Sequence, residues 1–266
     1  MKRWLPFVKS EPFVAVIRLN GAIASAPRGA ALNDAGLAAT IERAFGRGKP
    51  AAVALVINSP GGSPVQSALI AARIRRLAAE KSIPVYAFTE DVAASGGYWL
   101  ACAGDEIWID DCSIVGSIGV ISAGFGFPEL IERYGVERRV HTAGLSKSQR
   151  DPFKPEKPED VEKLQGWLTQ IHGTFIDYVK DRRGAKLGDD EGLFTGDVWI
   201  GQKAIDVGLA DGIGHLVPKM KEVFGEKVRF QVYGRRRGLL SRLGGRIADD
   251  ALGVIEDRIA FARYGL

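Results

Sequence analysis

The chain has 266 residues and a formal net charge of +4 at pH 7, with 46% hydrophobic and 26% charged residues. That size and balance fit one large α/β domain, or one domain with an appendage, and exclude a chain too polar to bury a core. The basicity is local: Arg229, Arg235, Arg236, Arg237, Arg242 and Arg246 lie within residues 229–246 with no acid among them, so the remainder is net negative. This is not the basic, aromatic-interleaved face of a nucleic-acid binder, and no nucleic-acid partner is read.

The N-terminus begins with charge at Lys2 and Arg3, and Lys9 and Glu11 interrupt its short apolar run, so no signal peptide is read. Residues 14–19 read as a first strand, followed by a Gly/Pro/Ala loop to about Ala30. Asn33 is placed to cap a helix to about Phe45, which Gly46-Arg47-Gly48 ends. The unbroken apolar run from Ala52 to Ile57 predicts a strand buried on both faces. Residues 50–72 carry no charge, but Asn58-Ser59-Pro60-Gly61-Gly62-Ser63-Pro64 lies in their midst, which no lipid-facing helix would keep. The chain therefore reads as soluble and cytoplasmic. Ser63 then serves as an N-cap with Pro64 in the first turn, and Ala68, Leu69, Ala72, Ile74 and Leu77 form the expected apolar stripe.

Further strands are expected at 84–88, 107–109, 118–121 and 136–142, with a small-residue segment at 93–103 and a helix at 128–134. A long helix is expected at 158–182, then two short helices and two short strands to about Val232. This alternation predicts an α/β domain with a largely parallel core, ending near Gly234. The main domain is thus 1–233, and 234–266 is a basic, amphipathic tail. The two cysteines, Cys102 and Cys112, make no disulfide scaffold. Without a CxxC pair or a His/Cys cluster, neither a metal nor another cofactor is implied.

Two glycine loops carry the chemical interest, and both follow strands. In Asn58–Ser63 the adjacent Gly61 and Gly62 expose amides just before a helix, and no phosphate-loop lysine accompanies them. In Ala93-Ala94-Ser95-Gly96-Gly97-Tyr98 a serine flanked by small residues can hold its Oγ out into a cleft, while its own amide or its neighbour's faces the same space. Each loop alone reads as a turn or a helix cap. Together they offer a nucleophile and preorganised donors, the amides of Gly62 and Gly96, for an oxyanion. The base is less evident. His141, His172 and His215 have no obvious acid partner, whereas a lysine can serve a serine once burial makes its amine neutral. Lys147, in a loop, is one such lysine.

In this order, Asn58-Ser-Pro-Gly-Gly-Ser63, Asp91-Val-Ala-Ala-Ser-Gly-Gly-Tyr98 and Gly116-Ser-Ile-Gly-Val120 resemble the signal peptide peptidase A family of serine proteases, over roughly residues 12–215. The resemblance implies the Clp protease/crotonase fold of stacked ββα units, with Ser95 as nucleophile and Lys147, 52 residues later, as general base. It further implies Gly62 and Gly96 at the oxyanion hole, Ser117 hydrogen-bonding the lysine, and assembly into a homo-oligomeric ring. The chain matches a single family repeat and shows no transmembrane helix of the anchored members. Peptide and protein substrates follow: signal-peptide remnants, or membrane-associated or unfolded polypeptides. Two alternatives keep the fold: a crotonase-like acyl-CoA enzyme, and an inactive scaffold for membrane proteins.

From Gly238 onward, apolar residues recur mostly every three or four positions, predicting a helix with arginines crowded at its start. Positive charge there opposes the helix macrodipole. Docking of the tail on the anionic inner face of the membrane would compensate, and packing of its apolar face on a neighbouring subunit is the other reading.

Overall fold

The computed structural model describes residues 11–25, 31–144, 146–234 and 258–266. They fall into two compact units, Met1–Gly119 with Ile176–Leu266, and Val120–Phe175. The helix expected in the tail lies largely outside the described residues, which include a helical turn at 258–262. The loop at 26–30 also lies outside them.

The first unit is built on an eight-stranded sheet. Its centre is parallel: β1 (Phe13–Asn20), β2 (Ala52–Ser59) and β3 (Val85–Ala94) lie side by side, and β8 (Arg229–Tyr233) adds in parallel outside β1. Parallel neighbours need crossovers, supplied by α1 (Asp34–Gly46) and α2 (Pro64–Lys81). The caps form where the sequence places them. Asn33 Oδ1 accepts from Gly36 N–H at 2.8 Å, and Ser63 Oγ accepts from Gln66 N–H at 3.4 Å. As its unbroken apolar run requires, nearly all of β2 is buried.

β3 is where the sheet forks. Its first half pairs with β4 (Glu106–Ile109), from Tyr86↔Glu106 to Phe88↔Trp108. Its last residues pair instead with β5 (Ile114–Gly116), from Val92↔Ile114 to Ala94↔Gly116. β6 (Val198–Ile200) runs antiparallel beside β5, and β7 (Gly212–Ile213) runs parallel beside β4. A bulge separates the two halves, since Ile57 pairs with Thr89 but Ser59 with Ala93. β3 therefore continues well past the expected 84–88 and delivers the chain to Ser95 at the sheet's C-terminal edge. There the short α3 (Gly96–Ala101) begins at once. Alternate residues Val14, Val16, Ala52, Ala54 and Val56 make one sheet face, against which Met220 of α7 (Leu216–Phe224) packs. α6 (Gln202–Asp206) completes this unit, which also takes the C-terminal end of α5 (Pro158–Arg183).

In three places the structure departs from the sequence expectation. On α2 the buried face is Ser67, Ile70, Ala71, Ile74, Leu77 and Ala78, whereas Leu69 is exposed. The true stripe starts at a serine, so counting apolar residues alone rotated it. The strand expected at 118–121 is displaced to 114–116, because Ile114-Val115-Gly116 takes the register opposite Val92-Ala93-Ala94. No strand forms at 136–142. Val136 and Val140 alternate with charge as a strand would, but Val136 is exposed and no described strand pairs with this segment.

The second unit contains α4 (Pro128–Arg133) and the N-terminal part of α5. Phe127 N–H donates to Pro152 O at 2.6 Å, Arg138 pairs with Asp151 at 3.1 Å, and the Arg138 guanidinium lies over the Phe153 ring. Among its described residues only Phe175 is buried. Ile121, Phe125, Tyr134 and Trp167 are all exposed.

Candidate active site

The loop after β2 is held from both sides. Gly21 N–H donates to Asn58 O at 2.9 Å, Ile23 N–H to Gly61 O at 2.8 Å, and Ser63 N–H to Ile23 O at 2.8 Å. These bonds leave the Gly62 amide out of the ladder. Gly62 has φ +141°, and a Cβ there would lie 2.0 Å from Ile23 O, so no other residue fits without moving the backbone.

The second loop meets the first directly. A Cβ on Gly61 would lie 2.7 Å from Gly96 N and 2.8 Å from Ser95 Cβ. One on Gly96 would lie 2.4 Å from Ser67 Oγ and 3.3 Å from Gly62 N, and one on Gly97 would lie 2.3 Å from Ser59 O. The two glycine pairs exist so that two backbones can touch. Between them, Ser95 has φ +52° and ψ −122°, a costly conformation for a residue with a Cβ. Its side chain stands at the N-cap position of α3 but makes no capping bond, so the plain reading of this serine as a helix cap fails. α3 itself is fully buried, and Tyr98 O–H donates to Leu209 O at 2.8 Å. Burial pushes the Tyr98 phenol well above its ordinary pKa.

Ser95 N–H donates to Gly116 O at 2.8 Å. This decides which amide of the turn is free. The serine's own N–H is committed to β5, whereas Gly96 N–H, the first of α3, has no intrahelical acceptor by its position. The same contact sets the next residue, Ser117, beside the Ser95 turn. Ser117 has φ +50°, its N–H donates to Asp197 O at 2.7 Å, and Tyr264 O–H donates to its Oγ at 3.5 Å. Ser95, Gly96, Gly62 and Ser117 are thus gathered where β2, β3 and β5 end. The roles of Ser67 and Tyr264 in this neighbourhood were not read from the sequence. A serine opening a helical stripe was the only signal for the first, and nothing signalled the second.

Lys147 belongs to the second unit. Its N–H donates to Gly144 O at 3.2 Å, closing a turn that follows irregular backbone rather than the expected strand. His141 is exposed in the same unit. His215 does have an acid partner, contrary to the sequence reading: its Nε2 lies 3.0 Å from Asp110 Oδ2. Asp110 follows β4, which pairs with the first half of β3, so this pair flanks the middle of that strand rather than its Ser95 end.

Residues 78–223 match the model of peptidase family S49. The chain belongs to that family. The match contains Ser95, Ser117 and Lys147, while the Asn58–Ser63 loop precedes it. A protein named Na(+)/H(+) antiporter NhaA from Brucella melitensis is 47% identical over 286 residues, covering 100% of this chain and 39% of that protein. A chloroplastic serine protease SPPA from Arabidopsis thaliana is 33% identical over 227 residues, covering 81% of this chain and 33% of that protein. The chain thus spans about two fifths or less of the length of these two relatives. Among solved structures, the 1510-N membrane-bound stomatin-specific protease superposes with a TM-score of 0.52 at 15% identity, over 85% of this chain and 99% of that one. At that identity the likeness is one of fold, and the forked parallel sheet is the Clp protease/crotonase fold of S49 proteins. Among the described residues no helix is long and apolar enough to cross a membrane.

Proposed function

We propose that this S49 chain is a serine endopeptidase working through a Ser95–Lys147 dyad and an acyl-enzyme. The observation that carries the reading is Ser95 itself: a strained, uncapped serine between two buried elements, with the amides of Gly62 and Gly96 close together beside it. In the first step Lys147, as the neutral amine, takes the Ser95 proton while Oγ attacks the scissile carbonyl. The Gly62 and Gly96 amides hold the resulting oxyanion, already in place and needing no reorganisation. Collapse expels the amine, which receives the proton from Lys147 and leaves Ser95 acylated. Water, deprotonated by Lys147, then attacks the ester, and the proton returns to Ser95 as the acid departs. Ser117 orients the lysine by hydrogen bonding.

The substrates are polypeptides: signal-peptide remnants, or membrane-associated or unfolded chains. The antiporter name belongs to the Brucella relative, most of whose length lies outside the match, and no transport is assigned to this chain. Self-assembly into a ring is part of the proposal. It is supported by the second unit, which exposes Phe125 and Tyr134 at 83% and 74%. An acyl-CoA enzyme on the same fold would use the two amides for an enolate but would need neither Ser95 nor Lys147.

The test is digestion of a peptide library by the wild type beside Ser95→Ala. Cleavage by the wild type alone supports the peptidase. Equal cleavage by both, or none by either, would overturn it.

A further inference from the structure

Ser59 is fully buried at the end of β2, immediately before Pro60-Gly61-Gly62. It lies just past the bulge, where β2 resumes pairing with β3 in a shifted register, Ser59 opposite Ala93, the last pair of that ladder. Beyond this pair its side chain holds the chain. The hydroxyl donates to Gly21 O at 2.7 Å, at the end of β1, and accepts from Gly61 N–H at 3.3 Å. One oxygen therefore ties the end of β1 to the left-handed Gly61, immediately before Gly62. The Ser59 carbonyl meanwhile lies against Gly97, where a Cβ would come within 2.3 Å. Ser59 thus touches the segment on each side of the two amides without facing the cleft.

We infer that Ser59 is a positioning residue for the oxyanion hole: its hydroxyl fixes the Pro60–Gly61 peptide, and with Ile23 N–H holding the Gly61 carbonyl this sets the next peptide so that the Gly62 amide points with that of Gly96 at the developing charge. This rests on the reading of Gly62 and Gly96 as oxyanion donors and names what aims one of them. The physical basis is that preorganised donors act only when aimed at the charge of the transition state, so a tilted amide loses stabilisation there while substrate binding stays. Without the hydroxyl, the Gly61 N–H and the Gly21 carbonyl lose a buried partner, and the loop relaxes to find others.

The experiment compares wild type, Ser59→Ala and Ser95→Ala on a fluorogenic peptide selected with the wild type, together with inhibition by a peptide aldehyde of the same sequence. The aldehyde's adduct places an oxygen in the hole, whereas KM reports mainly the ground state. For Ser59→Ala we expect kcat to fall about tenfold or more, with KM within about twofold and aldehyde affinity weakened in step with kcat. Thermal unfolding monitors the fold, and Ser59→Cys, of similar volume with weaker hydrogen bonding, replaces the alanine variant if that does not fold. A kcat within twofold of wild type overturns the inference. So does a loss of activity without loss of aldehyde affinity, which marks a merely structural serine. Undiminished hydrolysis by Ser95→Ala would instead overturn the underlying peptidase reading.

Discussion

At the scale of single residues, Gly62 is a site position that admits no side chain. A methyl group there would press on the Ile23 carbonyl and force an alanine to hold φ +141°. Gly62→Ala is expected to lower kcat/KM by about a hundredfold, with a drop in melting temperature, measured on one preparation by kinetics and calorimetry. Ser95→Ala and Lys147→Ala should each remove hydrolysis while circular dichroism stays that of the wild type, and the double variant should be no worse than either. His215→Ala serves as the control, because its partner Asp110 lies beside the other half of β3. The cysteines differ by burial. Cys102 is buried, which pushes its thiol up to about 12, whereas Cys112 is exposed. Iodoacetamide at neutral pH should therefore add a single group to the native chain, at Cys112, as read by intact mass.

At the scale of elements, one branch of the fork, β4 with β7, is tied by a half-buried acid. Asp211, just before β7, accepts from Ile107 N–H of β4, from Arg183 at the end of α5 and from Lys186, all within 2.7 Å. Burial disfavours its charge, but the hydrogen bonds from Arg183, Lys186 and the Ile107 amide outweigh this and hold the carboxyl below its usual pKa. A carboxyl lowered by folding contributes stability that is complete above its unfolded pKa and lost as pH falls through the folded one. Asp211→Asn should thus cost about 3 kcal/mol at pH 7 by leaving the buried Arg183 guanidinium without its counter-charge, and the two proteins should converge as the pH drops below about 4. Denaturant titrations at the two pH values measure it. The elements readable from sequence were those that carried their own signals: β2 by its apolar run, and α1 and α2 by Asn33, Ser63 and Pro64. The length of β3 was not readable. Glu90 and Asp91 interrupt its apolar pattern at the bulge, and Ala93-Ala94 has low strand preference, so only pairing with β5 makes it a strand. Of the site, the glycine loops could be read because touching backbones demand glycine. Ser59, Ser67 and the bond from Ser95 N–H to Gly116 O could not, since each depends on segments far apart in the chain.

At the scale of the whole molecule, the second unit has too little buried surface to account for its apolar residues. Ile121, Phe125, Tyr134 and Trp167 are exposed within 56 residues that bury Phe175 alone among those described, and the ring proposal rests on them. A second copy of the chain is the occupant the ring proposal requires. Sedimentation at micromolar concentration should show an oligomer, and Phe125→Ser with Trp167→Ser should shift it toward smaller species; a fully active wild-type monomer would rule the ring out. Above all, the proposed peptidase must carry an activated serine at the end of β3. A fluorophosphonate probe followed by intact and peptide mass spectrometry tests it most directly. One adduct per chain on Ser95, absent from Ser95→Ala and suppressed in Lys147→Ala, is the predicted result; an unlabelled wild type, or an adduct on any other residue, would contradict it.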